Sequence, residues 1–256
     1  MDRVLQRSPH RTVKLEDGGA VVRKEFTGPL ASAEAAREHD RLQRFHRALG
    51  SDGRARCPRP IDVGTDDPVF VRMERAPGEP LLAQLASRLW TDEEIKQLAS
   101  VFAAAVRTYV ETFDEPYFDF HLRNVTYEPA EGRVWFFDFG VPSTFAPDLV
   151  ARLRQRAPLD VSVANLLGST LFEATRPRTV LQRRRHRQSL LLADAIMSEL
   201  PVIAAEVDGV ARDVWNSAAA QGDWMAMAWY RSFGKLVGPP MRRAAFGIGS
   251  QRITGS

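Results

Sequence analysis

Cysteine is almost missing from this chain: Cys57 is the only one in 256 residues, so no intramolecular disulfide framework can form. No run of about eighteen apolar residues occurs, which argues against a membrane-spanning helix. The first thirty residues are too charged for a secretory signal. A soluble, cytoplasmic protein is the expectation. Lysine is scarce as well. Lys14, Lys24, Lys96 and Lys235 are the only four among 35 basic residues, so a lysine in a special context carries more information here than usual. A large charge of either sign is also absent. The net charge of +3 and pI near 9.3 come from acids and bases interspersed over most of the chain, which permits anionic ligands without demanding nucleic acid. Finally, Met1 to Arg11 contains no glycine.

What is present is a 44% hydrophobic composition, ordinary for a globular core, on a length that suits one large domain or two lobes. The most informative stretch runs Asp119-Phe120-His121-Leu122-Arg123-Asn124. A strand, turn, strand pattern follows over residues 125–137 and ends in Asp138-Phe139-Gly140. An acid, an amide five residues on and a second acid after a hairpin are the groups that ATP-dependent phosphoryl transfer needs from one patch of backbone. Asp119 can accept the proton of an attacking hydroxyl. Asn124 and Asp138 offer oxygen ligands to Mg²⁺ bridging the nucleotide phosphates. Each fragment alone is weak, and the combination is specific. As plain structure the same residues would be a loop acid, a turn former and a strand terminus.

This segment resembles the catalytic loop and Asp-Phe-Gly motif of the protein-kinase-like superfamily. With His121 two residues after the acid, it is most similar to the form in aminoglycoside and small-molecule phosphotransferases and bacterial lipopolysaccharide kinases. The resemblance implies an α+β, bilobal protein-kinase-like fold. It places a small antiparallel-sheet N-lobe over residues 1–75, a mainly helical C-lobe over 76–245 and a flexible tail at 246–256.

Residues 12–15 and 20–26 are β-rich and flank Glu16-Asp17-Gly18-Gly19, a hairpin signal because Asp-Gly supplies positive φ. In the resemblance these are the second and third strands, and Lys24 falls where the family places the lysine that contacts the α- and β-phosphates. Alternation alone would equally put Lys24 on a solvent-facing side. Ala31 to Leu49 carries Ala35, Leu42, Phe45 and Leu49 at mostly helical spacing. By resemblance this is the helix whose glutamate holds the lysine, with Glu38 the first choice and Glu34 the reserve, since Glu38 sits one turn before the apolar stripe. A solvated helix acid is the plain alternative. Strands are expected at 58–64 and 68–73. The Pro- and Gly-broken residues 74–81 then resemble the hinge, with Met73 closing the back of the adenine pocket and backbone groups of Glu74 and Ala76 binding the adenine of ATP.

From Leu82 the period becomes helical. Thr91-Asp92-Glu93-Glu94 is a capping sequence for an amphipathic helix over 95–112. Residues 158–167 resemble the start of the large-lobe central helix, where Asp160 would brace the catalytic loop or simply cap. Further helices are expected at about 188–206, 209–220 and 222–236. Arg176-Pro177-Arg178 and Arg183-Arg184-Arg185-His186-Arg187 could meet an anionic acceptor, a membrane surface or nucleic acid, or be a solvated helix start. No aromatics interleave with them, which argues against single-stranded nucleic acid and leaves peripheral membrane contact open. Trp215, Trp224, Trp229 and Tyr230 suit an acceptor pocket or simple packing.

The pattern departs from the family in three places. No glycine-rich loop precedes residue 12, so either the first strand is missing or a Gln6 to His10 turn covers the phosphates. Tyr117 stands where the family usually has histidine. No Ala-Pro-Glu signature follows Gly140, which favours a small-molecule, sugar or glycan acceptor over a protein. The expectation is an ATP- and Mg²⁺-dependent phosphotransferase acting on a hydroxyl. The alternatives are a pseudokinase that binds nucleotide without turnover, and a kinase-like enzyme that transfers a nucleotidyl group.

Overall fold

The computed structural model describes residues 3–7, 11–50, 53–141, 145, 147–174, 180–200, 206, 209, 210 and 213. The chain divides into two units, one built from residues up to Pro80 together with Asn124–Gly140, the other from Leu81–Arg123 and residues from Val141 onward.

In the first unit the strands are β1 (Arg3–Arg7), β2 (Arg11–Glu16) and β3 (Val21–Phe26). Helix α1 (Ala31–Leu49) follows, then β4 (Ala55–Arg56), β5 (Pro60–Gly64), β6 (Phe70–Glu74) and β7 (Glu79–Pro80). Five of these strands form an antiparallel sheet in the order β1-β2-β3-β6-β5. A first strand is therefore present, with a register shift between Val4 and Gln6, and Ser8, Pro9 and His10 lie outside the described residues. The β2–β3 turn works because Asp17, Gly18 and Gly19 all take positive φ, at 49°, 67° and 95°. Glycine and aspartate tolerate that region best.

Alternation then sorts the sheet into two faces. Lys14, Glu16, Arg23, Glu25, Arg72 and Asp62 share one face. Arg23 sits opposite Arg72 in register, and the like charges are separated by carboxylates: Arg72 meets Glu16 at 3.0 Å and Asp62 at 3.0 Å, and Arg23 meets Glu25 at 3.1 Å. The opposite face carries Leu15, Phe26, Val71 and Met73, all buried, and α1 packs on this sheet with Ala35, Leu42 and Phe45 fully buried. Lys24 belongs to this apolar face, in register with Val13 and Val71, and is only 5% exposed. The solvent-facing alternative for Lys24 is thereby excluded. Cys57 is buried, and burial pushes its thiol well above the usual range, so it stays neutral.

The remaining strands of this unit are β8 (Val125–Glu128) and β9 (Arg133–Phe136), in a second sheet of order β4-β9-β8-β7. Their register pairs Val125 with Phe136 and Glu128 with Arg133. Gly78 is required where β7 meets β8: its φ is 84°, and a Cβ there would strike the Tyr127 carbonyl. Thr126 Oγ1 donates to Pro77 O at 2.7 Å and pins the same crossing.

The described part of the second unit is helical: α2 (Leu81–Ser87), α3 (Asp92–Phe113), α4 (Pro147–Leu153), α5 (Pro158–Ala174) and α6 (Val180–Glu199). Helix α3 packs on α5 and α6, and Phe102, Val106 and Tyr109 supply its fully buried stripe. Its start is a complete capping box. Thr91 Oγ1 accepts from Glu94 N at 3.2 Å, while Glu94 Oε2 accepts from Thr91 N at 2.8 Å. Helix α6 begins earlier than expected, at Val180, so the basic run sits inside it rather than before it, and Arg187 is exposed. Arg176 to Arg178, all but 209, 210 and 213 of the helix expected at 209–220, the helix expected at 222–236, the four late aromatics and the 246–256 tail lie outside the described residues. Among the described residues no helix is long and apolar enough to cross a membrane.

The capping box should carry measurable stability. Thr91→Ala removes one side-chain acceptor and should cost about 1 kcal/mol, lowering Tm by about 3 °C. Calorimetric melting of the two proteins checks this, and an unchanged Tm would mean the helix start is held by other contacts.

Candidate active site

In the first unit, Arg11 of β2 and Lys24 of β3 meet at Asp138, and Glu38 of α1 joins them through Lys24. Asp138 follows β9, and its backbone sits in the left-handed region at φ 64°, where Asp is among the few non-glycine residues found. Lys24 Nζ approaches its Oδ1 at 3.2 Å, and Arg11 Nη1 donates to the same oxygen at 3.1 Å. Lys24 also donates to Glu38 Oε1, and both partners are about nine-tenths or more buried. Glu34, the reserve choice, is exposed on α1.

The ionisation of this cluster follows from its geometry. Burial alone would push the Asp138 carboxyl up, but the charges and hydrogen bonds of Lys24 and Arg11 outweigh it and hold the group at about 2. For Lys24, burial works to lower the ammonium value, and Asp138 and Glu38 overcome it, so the net shift is upward. Both groups are charged at neutral pH. Because the folded value of Asp138 lies below the usual carboxylate value of about 3.9, its stabilising effect is fully present above that value and is lost as pH falls through about 2.

Asn124 is buried at the entry to β8, and its backbone carbonyl accepts from Phe137 N at 3.2 Å. That bond extends the β8–β9 ladder by one rung, so Asn124 stands across from Phe137 with Asp138 next in line. Phe139 is held on α1 by two contacts. Its ring meets Phe45 edge-on at 5.2 Å and 73°, and its carbonyl accepts from Arg41 Nη1 at 2.6 Å. An ionised carboxylate beside an amide-bearing residue is an oxygen donor set of the kind a hard divalent cation takes, leaving its other positions to water and phosphate. Among the described residues no group of three or more His, Cys, Asp or Glu gathers, so a divalent cation here would draw most of its ligands from water and phosphate.

Met73 is buried in β6, paired in register with Val22 and Pro60. Glu74 N donates to Arg59 O at 2.9 Å, and Ala76 is half-buried in the link to β7.

In the second unit Asp119 and His121 form a local pair. His121 Nδ1 accepts from Arg123 N at 3.2 Å, which places the proton of a neutral ring on Nε2, 3.1 Å from Asp119 Oδ1. The loop backbone is held from below. Tyr117 N donates to Ser162 Oγ at 2.9 Å, Ser162 donates to Pro158 O at 2.8 Å, and the Tyr117 ring stacks on Tyr109 at 4.6 Å and 17°. Asp160 is buried in the first turn of α5.

Sequence reasoning missed Arg11, Arg41 and Ser162. Arg41 had a signal: it lies one turn after Glu38 on the buried stripe of α1, where a charge needs a partner. Arg11 and Ser162 had none, since each acts on a residue remote in sequence.

No family model matches the sequence, and no curated protein matches it. Among solved structures, the GDP complex of a variant aminoglycoside 2′-phosphotransferase-IIIa aligns over 96% of this chain and 93% of its own, at 10% identity and a TM-score of 0.54. The GDP and kanamycin complex of APH(2″)-IIIa aligns over 93% and 92%, at 9% identity and a TM-score of 0.51. The Mycobacterium tuberculosis PknI kinase domain aligns over 82% and 93%, at 19% identity and a TM-score of 0.49. The likeness to the two phosphotransferases shows the fold: α+β and protein-kinase-like.

The buried pair makes a prediction about stability. Glu38→Ala leaves Lys24 desolvated with Asp138 as the carboxylate still in contact, and should cost about 3 kcal/mol in urea unfolding. The double change Lys24→Met with Glu38→Leu should cost less, because no charge is left uncompensated and Asp138 keeps Arg11. A single-mutant loss no larger than the double would contradict the assignment.

Proposed function

On this fold, we propose that the chain is a phosphotransferase that moves the γ-phosphoryl group of ATP to a hydroxyl of a small molecule, sugar or glycan. The observation that carries the reading is Asp138, kept ionised by Lys24 and Arg11 at the end of the ladder that also presents Asn124. Lys24, braced by Glu38, binds the α- and β-phosphates. Met73 lines the adenine site, and backbone groups of Glu74 and Ala76 bind the base. Asn124 and Asp138 hold Mg²⁺, which when bound neutralises charge on the phosphates.

Asp119 takes the proton of the acceptor hydroxyl, and the His121 Nε2–H bond orients its carboxylate. The acceptor oxygen forms a bond to the γ-phosphorus as the bond to the β–γ bridging oxygen breaks, and ADP leaves. Such transfer draws on positioning and electrostatics rather than covalent catalysis, which suits a site made of paired charges. The kanamycin and GDP in the phosphotransferase structures support a hydroxyl-rich small acceptor and a purine nucleotide donor. The glycine-free segment before β2 favours one second reading, a nucleotide-binding pseudokinase.

Incubation with ATP or GTP, Mg²⁺ and a panel of aminoglycosides, sugars and glycans, read by mass spectrometry, tests the function. A mass gain of one phosphoryl group on one acceptor is expected; nucleotide binding with no product across the panel would favour the pseudokinase. Asp119→Asn should abolish transfer while nucleotide affinity stays within about threefold, since the carboxylate acts on the acceptor. Nucleotide affinity falling in step with turnover would reassign that residue.

A further inference from the structure

We propose that Arg11 is a second nucleotide-phosphate ligand, parked on Asp138 until nucleotide and cation bind, next to a β1–β2 connection that contains no glycine. The inference rests on the nucleotide reading above and assigns a role to a residue that reading does not use.

Three observations carry it. The first is placement. The sheet segregates its charges, with Lys14, Arg23 and Arg72 on the face that also carries Glu16, Glu25 and Asp62. Arg11, in register with Phe26, instead falls on the face of Val13 and Lys24, the apolar side. Its half-buried side chain reaches the carboxylate of Asp138 on that side.

The second is convergence. Arg11 Nη1 and Lys24 Nζ lie 3.1 and 3.2 Å from one and the same oxygen of Asp138. The cluster balances: Lys24 and Arg11 against Glu38 and Asp138. When Asp138 ligates a cation, the Arg11 guanidinium beside it keeps its charge at every working pH. The phosphate oxygens on that cation are the nearest chemistry that meets a planar fork of donors, two bonds at a time.

The third is what precedes it. Close approach of backbone amides to phosphate is what a glycine-rich turn provides. The eleven residues up to and including Arg11 contain no glycine, so a side-chain cation at the start of β2 is the available substitute.

Calorimetry on the full chain separates this from a purely structural counter-ion. The ligands are a non-hydrolysable β,γ-imido ATP analogue with Mg²⁺, and adenosine, which has no phosphate. Arg11→Ala should weaken the analogue by about tenfold or more while adenosine affinity changes by less than about twofold. Arg11→Lys, which keeps the charge and loses the fork, should fall between, about threefold weaker than wild type. Melting curves of each variant report folding, and if Arg11→Ala does not fold, Arg11→Lys decides. Unchanged or tighter analogue binding by Arg11→Ala, equal loss of both ligands in a folded variant, or full binding by Arg11→Lys would overturn the proposal. If wild type binds neither ligand, the nucleotide reading itself fails and this inference falls with it. If wild type binds both and the variants match it, this inference alone fails.

Discussion

A carboxylate kept ionised where burial opposes ionisation is the constraint on which the first unit depends. Asp138 meets two cations on one oxygen, and those cations come from β2 and β3, so the sheet register and the hairpin after Asn124 must agree for the cluster to close. Glu38 adds a further condition, because it fixes where α1 lies along the sheet. Arg41 and Phe45 then seat Phe139 on the same helix. Buried ion pairs of this kind are poor sources of net stability, and here their effect is to fix how β2, β3, α1 and the residue after β9 are arranged. The exposed pairs elsewhere, such as Arg152 with Asp148, contribute little by comparison.

The second unit solves a different problem, holding a polar loop still with mostly apolar means. Tyr117 stacks on Tyr109 of α3, its backbone amide is taken by Ser162 of α5, and Phe120 packs against Phe102 at 5.9 Å. Asp119 sits between these anchors and is oriented by a histidine two residues on. Stacking and a main-chain bond together anchor Tyr117.

Much of this was legible in the sequence for identifiable reasons. Helix α1 announces itself through a stripe of Ala35, Leu42 and Phe45, and once the helix is drawn Glu38 falls on its buried side. The β2–β3 hairpin follows from Asp17-Gly18-Gly19, and the capping box from Thr91 and Glu94. The two-residue strands β4 and β7 were illegible, since alternation needs more than two positions. Strand β1 was left open because its segment carries neither glycine nor a clean alternation. Arg11 was hidden for a stronger reason: its partner is 127 residues away, and no local pattern marks an arginine at a strand start as functional. Ser162 was hidden in the same way, since the Tyr117 amide it accepts from is 45 residues away.

If Asp138 and its cations form a metal-nucleotide centre, electron paramagnetic resonance of Mn²⁺, used in place of Mg²⁺ and titrated with a non-hydrolysable ATP analogue, will report it. Protein and nucleotide together should convert free Mn²⁺ to a bound form more strongly than either alone, and Asp138→Ala should abolish this excess while the protein remains folded. Undiminished Mn²⁺ binding by folded Asp138→Ala would contradict the claim.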